Sequence, residues 1–105
     1  MAATLSTHVL DTAAGQPAAG VAVRLETRDG EVLDQGVTDR DGRVGSLGGE
    51  LGPAGYVLRF DTGAYWSSGS GFFPEVVIVF TVADDRHHHV PLLLSPYGYS
   101  TYRGS

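Results

Sequence analysis

The sequence predicts an all-β protein, an antiparallel sandwich of about eight strands with one short helix. Apolar and polar residues alternate over short runs, which is typical of strands that are buried on one face. Turn-forming residues separate these runs, and 15 glycines and 5 prolines occur among the 105 residues. About eight short strands fit a two-sheet sandwich, and residues 1–105 are predicted to form a single domain.

Each predicted strand is bounded by turn residues. Leu5, Thr7 and Val9 form one face of the first strand, and His8 lies on the opposite face. Asp29-Gly30 indicates a type I′ hairpin turn, because both residue types tolerate positive φ. The predicted strands cover residues 5–11, 21–28, 31–38, 43–47, 56–61, 75–83, 88–94 and 97–102, and the loop at 13–17 separates the first two.

The predicted helix covers residues 62–68. Thr62 is its predicted N-cap, and the Ser-Gly-Ser-Gly run that follows ends it.

Composition narrows the classes of function. The net charge is −5 and the sequence pI is about 5.1, which argues against nucleic acid and anionic membranes as partners. The absence of cysteine excludes disulfides and thiolate metal sites. The first residues lack the pattern of a secretory signal and no apolar run is long enough to span a bilayer, so we expect a cytoplasmic protein.

Residues 76–82 are apolar on both faces, whereas a strand that is buried on one side should alternate. Either this is a central strand whose outer face is apolar by chance, or its second face meets another subunit. The apolar run at 91–94 and the tyrosines near the end of the sequence favour association.

The histidines are the first candidates for chemistry. His8 alone is typical of a solvated surface residue. In the run at 87–89, His87 and His89 share a strand face while His88 points the other way, which weakens a metal site. We therefore do not expect a metal site here.

Arg43 follows a predicted turn that contains Asp39 and Asp41. The turn resembles the start of a calcium loop but lacks the later acidic ligands, so it is interpreted as a turn in which an aspartate caps backbone N–H groups. On periodicity alone, Arg43 is a solvated charge. No nucleophile elbow or phosphate loop is present, so an enzyme would have to use histidines and arginine on a bound water.

The last residues, 91–105, are apolar and aromatic and contain Tyr97, Tyr99 and Tyr102. A terminal segment is usually frayed and polar. We therefore expect this one to be packed against something and to contribute to a site.

Six segments of the sequence form a recognisable set: Leu-Ser-Thr-His-Val-Leu-Asp at 5–11, Gly-Gln-Pro-Ala at 15–18, Thr-Asp-Arg-Asp-Gly-Arg at 38–43, Phe-Asp-Thr-Gly-Ala-Tyr at 60–65, Phe-Phe-Pro-Glu-Val at 72–76 and residues 89–105. Together they resemble the 5-hydroxyisourate hydrolases, the transthyretin-related proteins of urate breakdown. The resemblance runs nearly end to end, and its closing Tyr-Arg-Gly-Ser is highly specific.

The resemblance implies a transthyretin-like (prealbumin-like) fold and a homotetramer, a dimer of dimers with sites in the channel between dimers. It implies hydrolytic opening of 5-hydroxyisourate to 2-oxo-4-hydroxy-4-carboxy-5-ureidoimidazoline without metal or organic cofactor. The catalytic positions fall on His8, Arg43 and His89. The substrate-binding positions fall on Tyr102, Arg103, Gly104 and Ser105.

Two alternatives remain at this point. A transthyretin-like carrier would use the same channel without chemistry, and a structural sandwich would need neither the histidines nor the C-terminal segment. The sequence also departs from the family, which commonly has His-Tyr-His where His88 is the middle residue here. Because His88 lies on the opposite face from His89, we expect little effect on the chemistry.

Overall fold

The structure, a computed structural model, describes residues 2–67 and 69–105. Its strands form two sheets that pack face to face, as the sequence predicts. The strands are β1 (Thr4–Asp11), β2 (Gln16–Pro17), β3 (Ala22–Thr27), β4 (Val32–Val37), β5 (Arg43–Val44), β6 (Ala54–Phe60), β7 (Val76–Val82), β8 (His87–Ser95) and β9 (Gly98–Thr101).

One sheet has the order β2-β1-β8-β9, with β5 paired to β1 next to β2, and the other has the order β4-β3-β6-β7. All pairs are antiparallel except β1 and β8, which run parallel and pair Ser6 with His89 and His8 with Pro91. The predicted antiparallel sandwich is confirmed, and this one parallel pair is the exception within it. Short β2 lies inside the predicted loop at 13–17.

The core lies between the sheets and is built by the alternation that the sequence shows. Leu5, Val9 and Leu92 from the first sheet, and Leu25 and Phe60 from the second, are almost fully buried. The side chains that alternate with them on β1 and β8 point away from the core. The outer face of the first sheet is thus the place where polar residues of both strands meet.

The helix α1 (Thr62–Trp66) is capped one residue earlier than predicted. The Asp61 carboxylate accepts a hydrogen bond from the Ala64 amide, and Asp61 is the N-cap. Thr62 is instead buried, and its hydroxyl donates to the Phe73 carbonyl. Ser68, the predicted last helical residue, lies outside the described residues.

The hairpin between β3 and β4 also differs from the type I′ prediction. The Thr27 amide donates to the Glu31 carbonyl at 2.9 Å, so three residues form the loop. Gly30 has a φ of 91°, whereas Asp29 does not have positive φ. A three-residue loop needs left-handed geometry only at its last residue, where glycine stands.

Strand β7 is an edge strand, so the interpretation of residues 76–82 as a central strand is wrong. Val76, Ile78 and Val82 are buried, while Val77 and Val79 are 40% and 52% exposed on the outer face. Within one chain the second apolar face is therefore uncovered.

The tyrosines near the end of the sequence are likewise not buried within one chain. Tyr97 is 80% exposed and Tyr102 57% exposed. Tyr99 packs edge-on against Phe73, with 5.1 Å between the ring centroids. Within the described part of the chain, no helix is long and apolar enough to cross a membrane.

Candidate functional site

The candidate site lies on the outer face of the first sheet, where three strands bring distant residues together. On β1, Ser6 and His8 point outward. Strand β5 pairs His8 with Arg43, and strand β8 pairs Ser6 with His89. Because paired residues share a sheet face, His8, Arg43 and His89 lie together although they are far apart in sequence.

A tight turn holds Arg43 opposite His8. The Asp39 carboxylate accepts hydrogen bonds from the backbone amides of Asp41 at 2.8 Å and Arg43 at 3.0 Å. These two bonds, the one from Arg43 first, lower the pKa of Asp39. The predicted aspartate cap of this turn is confirmed, the capping residue is Asp39, and its effect is to fix the start of β5.

Gly42 lets this turn lie directly against β1. Its φ is 76°, and a Cβ atom there would come within 2.3 Å of the Val9 carbonyl oxygen. The Val9 amide donates to the Gly42 carbonyl at 2.7 Å. Only glycine permits this approach, which sets the distance of Arg43 from β1.

His8 is more enclosed than the surface histidine that the sequence indicates. Its ring is only partly exposed, and its Nε2 is buried without a hydrogen-bond partner among residues 2–67 and 69–105. A buried ring nitrogen without a partner is costly unless a ligand or water satisfies it. This makes Nε2 of His8 a polar atom available to a bound molecule.

Two hydroxyls link the outward-facing histidines of β8. The Ser6 hydroxyl lies 2.8 Å from Nδ1 of His89 and 2.7 Å from Nε2 of His87. The Thr4 hydroxyl lies 2.6 Å from Nδ1 of His87. The His89 ring is therefore held on its Nδ1 side, which leaves Nε2 as its free nitrogen.

Burial lowers the pKa of His89. The positive charges of Arg43, His8 and His87 lower it further, while a hydrogen bond with Ser6 acts in the opposite direction. The neutral imidazole, which can accept a proton, is thus favoured near neutral pH.

The last four residues of the sequence lie in two different places: Gly104 contacts His89, whereas Tyr102 and Arg103 lie beside β7. The Gly104 amide donates to the His89 carbonyl at 2.8 Å, and Gly104 lies against the His89 ring. Tyr102 and Arg103 line a cavity of about 290 Å³ beside β7, away from that ring. Ser105 follows Gly104 and is exposed.

His88 lies on the face of β8 opposite His89, as the alternation predicts; this is the core side, and His88 is 3% exposed. Its Nδ1 bonds the Arg86 carbonyl at 2.8 Å, and its Nε2 lies 3.8 Å from the Asp84 carboxylate. Arg103 approaches the same carboxylate at 3.8 Å. His88 therefore lies near the Asp84–Arg103 contact and not on the face that carries His89.

A second cleft, of about 640 Å³, lies on the other sheet. Two of its charged residues pair with each other, since Arg59 donates to Glu75 at 2.8 Å. None of the predicted site residues lines it. Within the described ranges, no group of three or more His, Asp or Glu side chains is arranged to hold a metal ion.

Sequence reasoning missed Thr4 and Ser6 and left the role of His87 open. Ser6 and His8 are two residues apart and so lie on one face of the strand, and this spacing could have identified Ser6 as a neighbour of the site. The partner strand could not be identified, because parallel pairing of β1 with β8 joins residues more than 80 positions apart.

Comparison with known proteins gives a consistent assignment. The family model described as HIUase/Transthyretin matches residues 5–104. A 5-hydroxyisourate hydrolase of Caulobacter vibrioides is 51% identical, over 96% of this chain and 97% of that protein.

Solved structures agree with this likeness. The 5-hydroxyisourate hydrolase of Klebsiella pneumoniae superposes with a TM-score of 0.90 at 40% identity, covering 98% of this chain and 99% of the other. Sea bream transthyretin in complex with thyroxine gives 0.86 at 34% identity, covering 95% and 93%. The transthyretin-like fold predicted from the sequence is confirmed.

Proposed function

The chain belongs to the HIUase/transthyretin family, and from this premise we propose that it hydrolyses 5-hydroxyisourate in urate breakdown. The observation that carries the proposal is the meeting of His8, Arg43 and His89 on one sheet face. The relatives named as hydrolases cover nearly the whole chain, which supports the same activity.

His8 and His89 are the proposed acid–base pair. One histidine takes a proton from water as its oxygen attacks the acyl carbon of the ring. The other gives a proton to the nitrogen as the C–N bond breaks, so the two protons balance. Each such transfer contributes about 10²–10⁴ to the rate. The lowered pKa of His89 favours a neutral base, and the unpartnered Nε2 of His8 suits contact with water or substrate.

Arg43 is the proposed group for the developing oxyanion. It lies opposite His8 and its charge acts on His89, so it is close to both. A fixed donor at such a position is worth roughly 3–4 kcal/mol of transition-state stabilisation. Its positive charge also offsets the net charge of −5 for an anionic substrate.

The final residues are proposed to bind substrate. The contact of Gly104 with the His89 ring supports this for Gly104 and for Ser105 beside it. Tyr102 and Arg103 line the neighbouring cavity beside β7, and we assign them to the same pocket in the assembled protein.

The proposed assembly is a homotetramer, a dimer of dimers. The outer edges of β7 and β9 have no neighbouring strand within the described part of the chain, and exposed Val77 and Val79 lie on β7. Unpaired edges and exposed apolar side chains are typical of surfaces that meet another subunit. The proposed partner is thus a second copy of this chain, while the composition argues against nucleic acid and membranes as partners. The cytoplasm stays a prediction from the sequence.

The alternative, a transthyretin-like carrier, is not favoured. A carrier that performs no chemistry has no need for His8, Arg43 and His89 on one face. The test is to add the purified protein to freshly generated 5-hydroxyisourate and follow the decay of its ultraviolet absorbance. We expect acceleration by the wild-type protein.

The variants His8→Ala, His89→Ala and Arg43→Ala should each lose about 100-fold or more in kcat. Arg40→Ala is the matched control, because Arg40 is an exposed arginine in the same turn. A carrier would bind without accelerating the decay. Full activity in both histidine variants would disprove the assigned roles.

A further inference from the structure

Ser6 and His87 form a hydrogen-bonded path from the protein surface to His89. The contacts are short: 2.6 Å from Thr4 to His87, 2.7 Å from His87 to Ser6, and 2.8 Å from Ser6 to His89. The order of the path is therefore Thr4, His87, Ser6 and His89, with residues of β1 and β8 in turn. Parallel pairing of Thr4 with His87 and of Ser6 with His89 creates this order.

We propose that Ser6 and His87 act as a proton relay that loads and unloads His89 during catalysis. The inference rests on the proposed function, since it assigns the route by which the acid–base group exchanges protons. Ser6 and His87 act through His89 and do not touch the reacting atoms.

Hydrogen-bond chemistry fixes the direction of each donor. Ser6 has one hydroxyl proton but contacts two ring nitrogens, so it donates to one of them and accepts from the other. When His87 is an imidazolium, its Nδ1–H donates to Thr4 and its Nε2–H donates to Ser6. The Ser6 hydroxyl then donates to Nδ1 of His89, so that every contact in the path is satisfied.

The transfer balances in protons and charge. The Nε2 proton of His87 moves to the Ser6 oxygen while the Ser6 hydroxyl proton moves to Nδ1 of His89. His87 becomes neutral and His89 becomes an imidazolium, which can release its Nε2 proton to the leaving nitrogen. His87 is exposed and regains a proton from solvent. The reverse transfer unloads His89 after it takes a proton from water.

The surroundings of His89 explain why such a path is useful. Burial and the charges of Arg43, His8 and His87 all lower the pKa of His89, so its imidazolium form is destabilised by its surroundings. His8 on β1 and Arg43 on β5 are the charged groups that face it from neighbouring strands. A hydroxyl that delivers the proton at Nδ1 leaves Nε2 free for the substrate.

The test compares Ser6→Ala with Ser6→Thr, which keeps the hydroxyl, and with His87→Ala. We expect kcat to fall about 10-fold in Ser6→Ala and His87→Ala with KM unchanged, because proton transfer is impaired and binding is not. Ser6→Thr should retain most of the activity. Added imidazole should restore His87→Ala, since His87 is exposed, and should not restore Ser6→Ala. Ser100→Ala, which removes an outward hydroxyl from β9, is the control.

A second readout does not depend on turnover. The nitrogen NMR spectrum of ¹⁵N-histidine-labelled protein should show a shifted Nδ1 resonance of His89 in Ser6→Ala but not in Ser100→Ala. Wild-type kcat in Ser6→Ala and His87→Ala, beside an inactive His89→Ala, would overturn the relay and leave the proposed function intact. If the wild-type protein does not accelerate the decay of 5-hydroxyisourate, the proposed function fails. An unchanged Nδ1 resonance of His89 in Ser6→Ala would overturn the relay.

Discussion

Gly104 has no room for a side chain, because it lies against the ring of His89. A Cβ atom there would come within 2.6 Å of Cδ2 of His89 and 3.2 Å of Cγ. The first prediction is that Gly104→Ala displaces the imidazole and lowers kcat about 10- to 100-fold, since small misplacements of a catalytic group are costly. The thermal midpoint should change little, because Gly104 is not part of the core.

The matched control for this variant is Gly52→Ala. Nothing lies within 4 Å of a Cβ atom at Gly52, and its φ is not positive. Steady-state kinetics and thermal unfolding of both variants check the prediction. Wild-type kcat in Gly104→Ala would contradict the placement of Gly104 beside the reacting group.

The pH dependence of His89 gives the second prediction. Burial first, and then the charges of Arg43, His8 and His87, lower its pKa. The proton NMR signal of its ring should therefore titrate with a midpoint below the usual value of about 6.5. In Arg43→Gln one positive charge is removed, so the midpoint should rise. Arg40→Gln should leave it in place, and a midpoint above 6.5 in the wild-type protein would contradict the assignment.

The same shift affects stability. The unfolded chain binds a proton at this histidine more readily than the folded chain does. The contribution of His89 to the free energy of unfolding is therefore fully present above about pH 6.5. It is lost as the pH falls through the lowered pKa, and below that pKa the free energy no longer changes with this group.

Strand alternation predicted the facing of individual residues well. It placed His87 and His89 on one face of the strand and His88 on the other, and the structure confirms this and shows that the His88 side is the buried one. It could not predict that the Nε2 atom of His8 is buried, because that depends on neighbours from other strands. The helix cap was assigned to Thr62 instead of Asp61, since both residue types cap helices and only the contact with Ala64 distinguishes them.

The helix α1 is tied to the end of β1 by one polar contact. The Tyr65 hydroxyl donates to the Asp11 carboxylate at 2.6 Å, and the other oxygen of that carboxylate accepts from the amides of Ala13 and Ala14. Burial, together with this hydrogen bond and the negative charge of Asp11, raises the pKa of Tyr65 to about 12. A five-residue helix depends on such contacts, because it is too short to be stable alone.

The third prediction is that Tyr65→Phe lowers the free energy of unfolding by about 1–2 kcal/mol, since Asp11 loses a hydrogen bond to a charged acceptor. Urea unfolding measures this loss. The control is Tyr97→Phe, because Tyr97 is largely exposed. Equal stability of Tyr65→Phe and the wild-type protein would show that the contact contributes nothing.

The strands could be predicted where apolar and polar residues alternate regularly, but not where a strand has only two residues. Every strand longer than two residues was predicted to within two residues at each end, namely β1, β3, β4, β6, β7, β8 and β9. β2 has only two residues and was predicted as loop, since so short a run shows no period. β5 is likewise only two residues long, where five were predicted.

At the scale of the whole molecule, the two sheets leave exposed strand edges and apolar surface. β7 and β9 are the last strands of their sheets along the described chain. The sequence indicated the exposed apolar surface, because residues 76–82 are apolar on both faces of the strand. It could not show that β7 lies at an edge, because strand order is a property of the whole fold and not of local pattern.

The fourth prediction concerns assembly through β7. Val79 is 52% exposed on this edge strand, and an exposed valine there is expected to contact a second copy of the chain. The wild-type protein should have a solution mass of four times the 11.1 kDa of one chain. Val79→Glu should reduce this mass, because a buried carboxylate is costly and each chain already carries a net charge of −5. Light scattering after gel filtration measures both masses.

Val37→Glu is the matched control, because Val37 is 61% exposed on β4, at the opposite edge of the same sheet. It should leave the mass unchanged, because Val79 but not Val37 lines the cavity of Tyr102 and Arg103 that we assign to the assembled protein. Val79→Glu should also lose activity in step with the mass if Tyr102 and Arg103 complete the pocket only in the assembled protein. A wild-type protein of 11.1 kDa that is fully active would exclude the tetramer as a requirement, and would place the whole site within one chain.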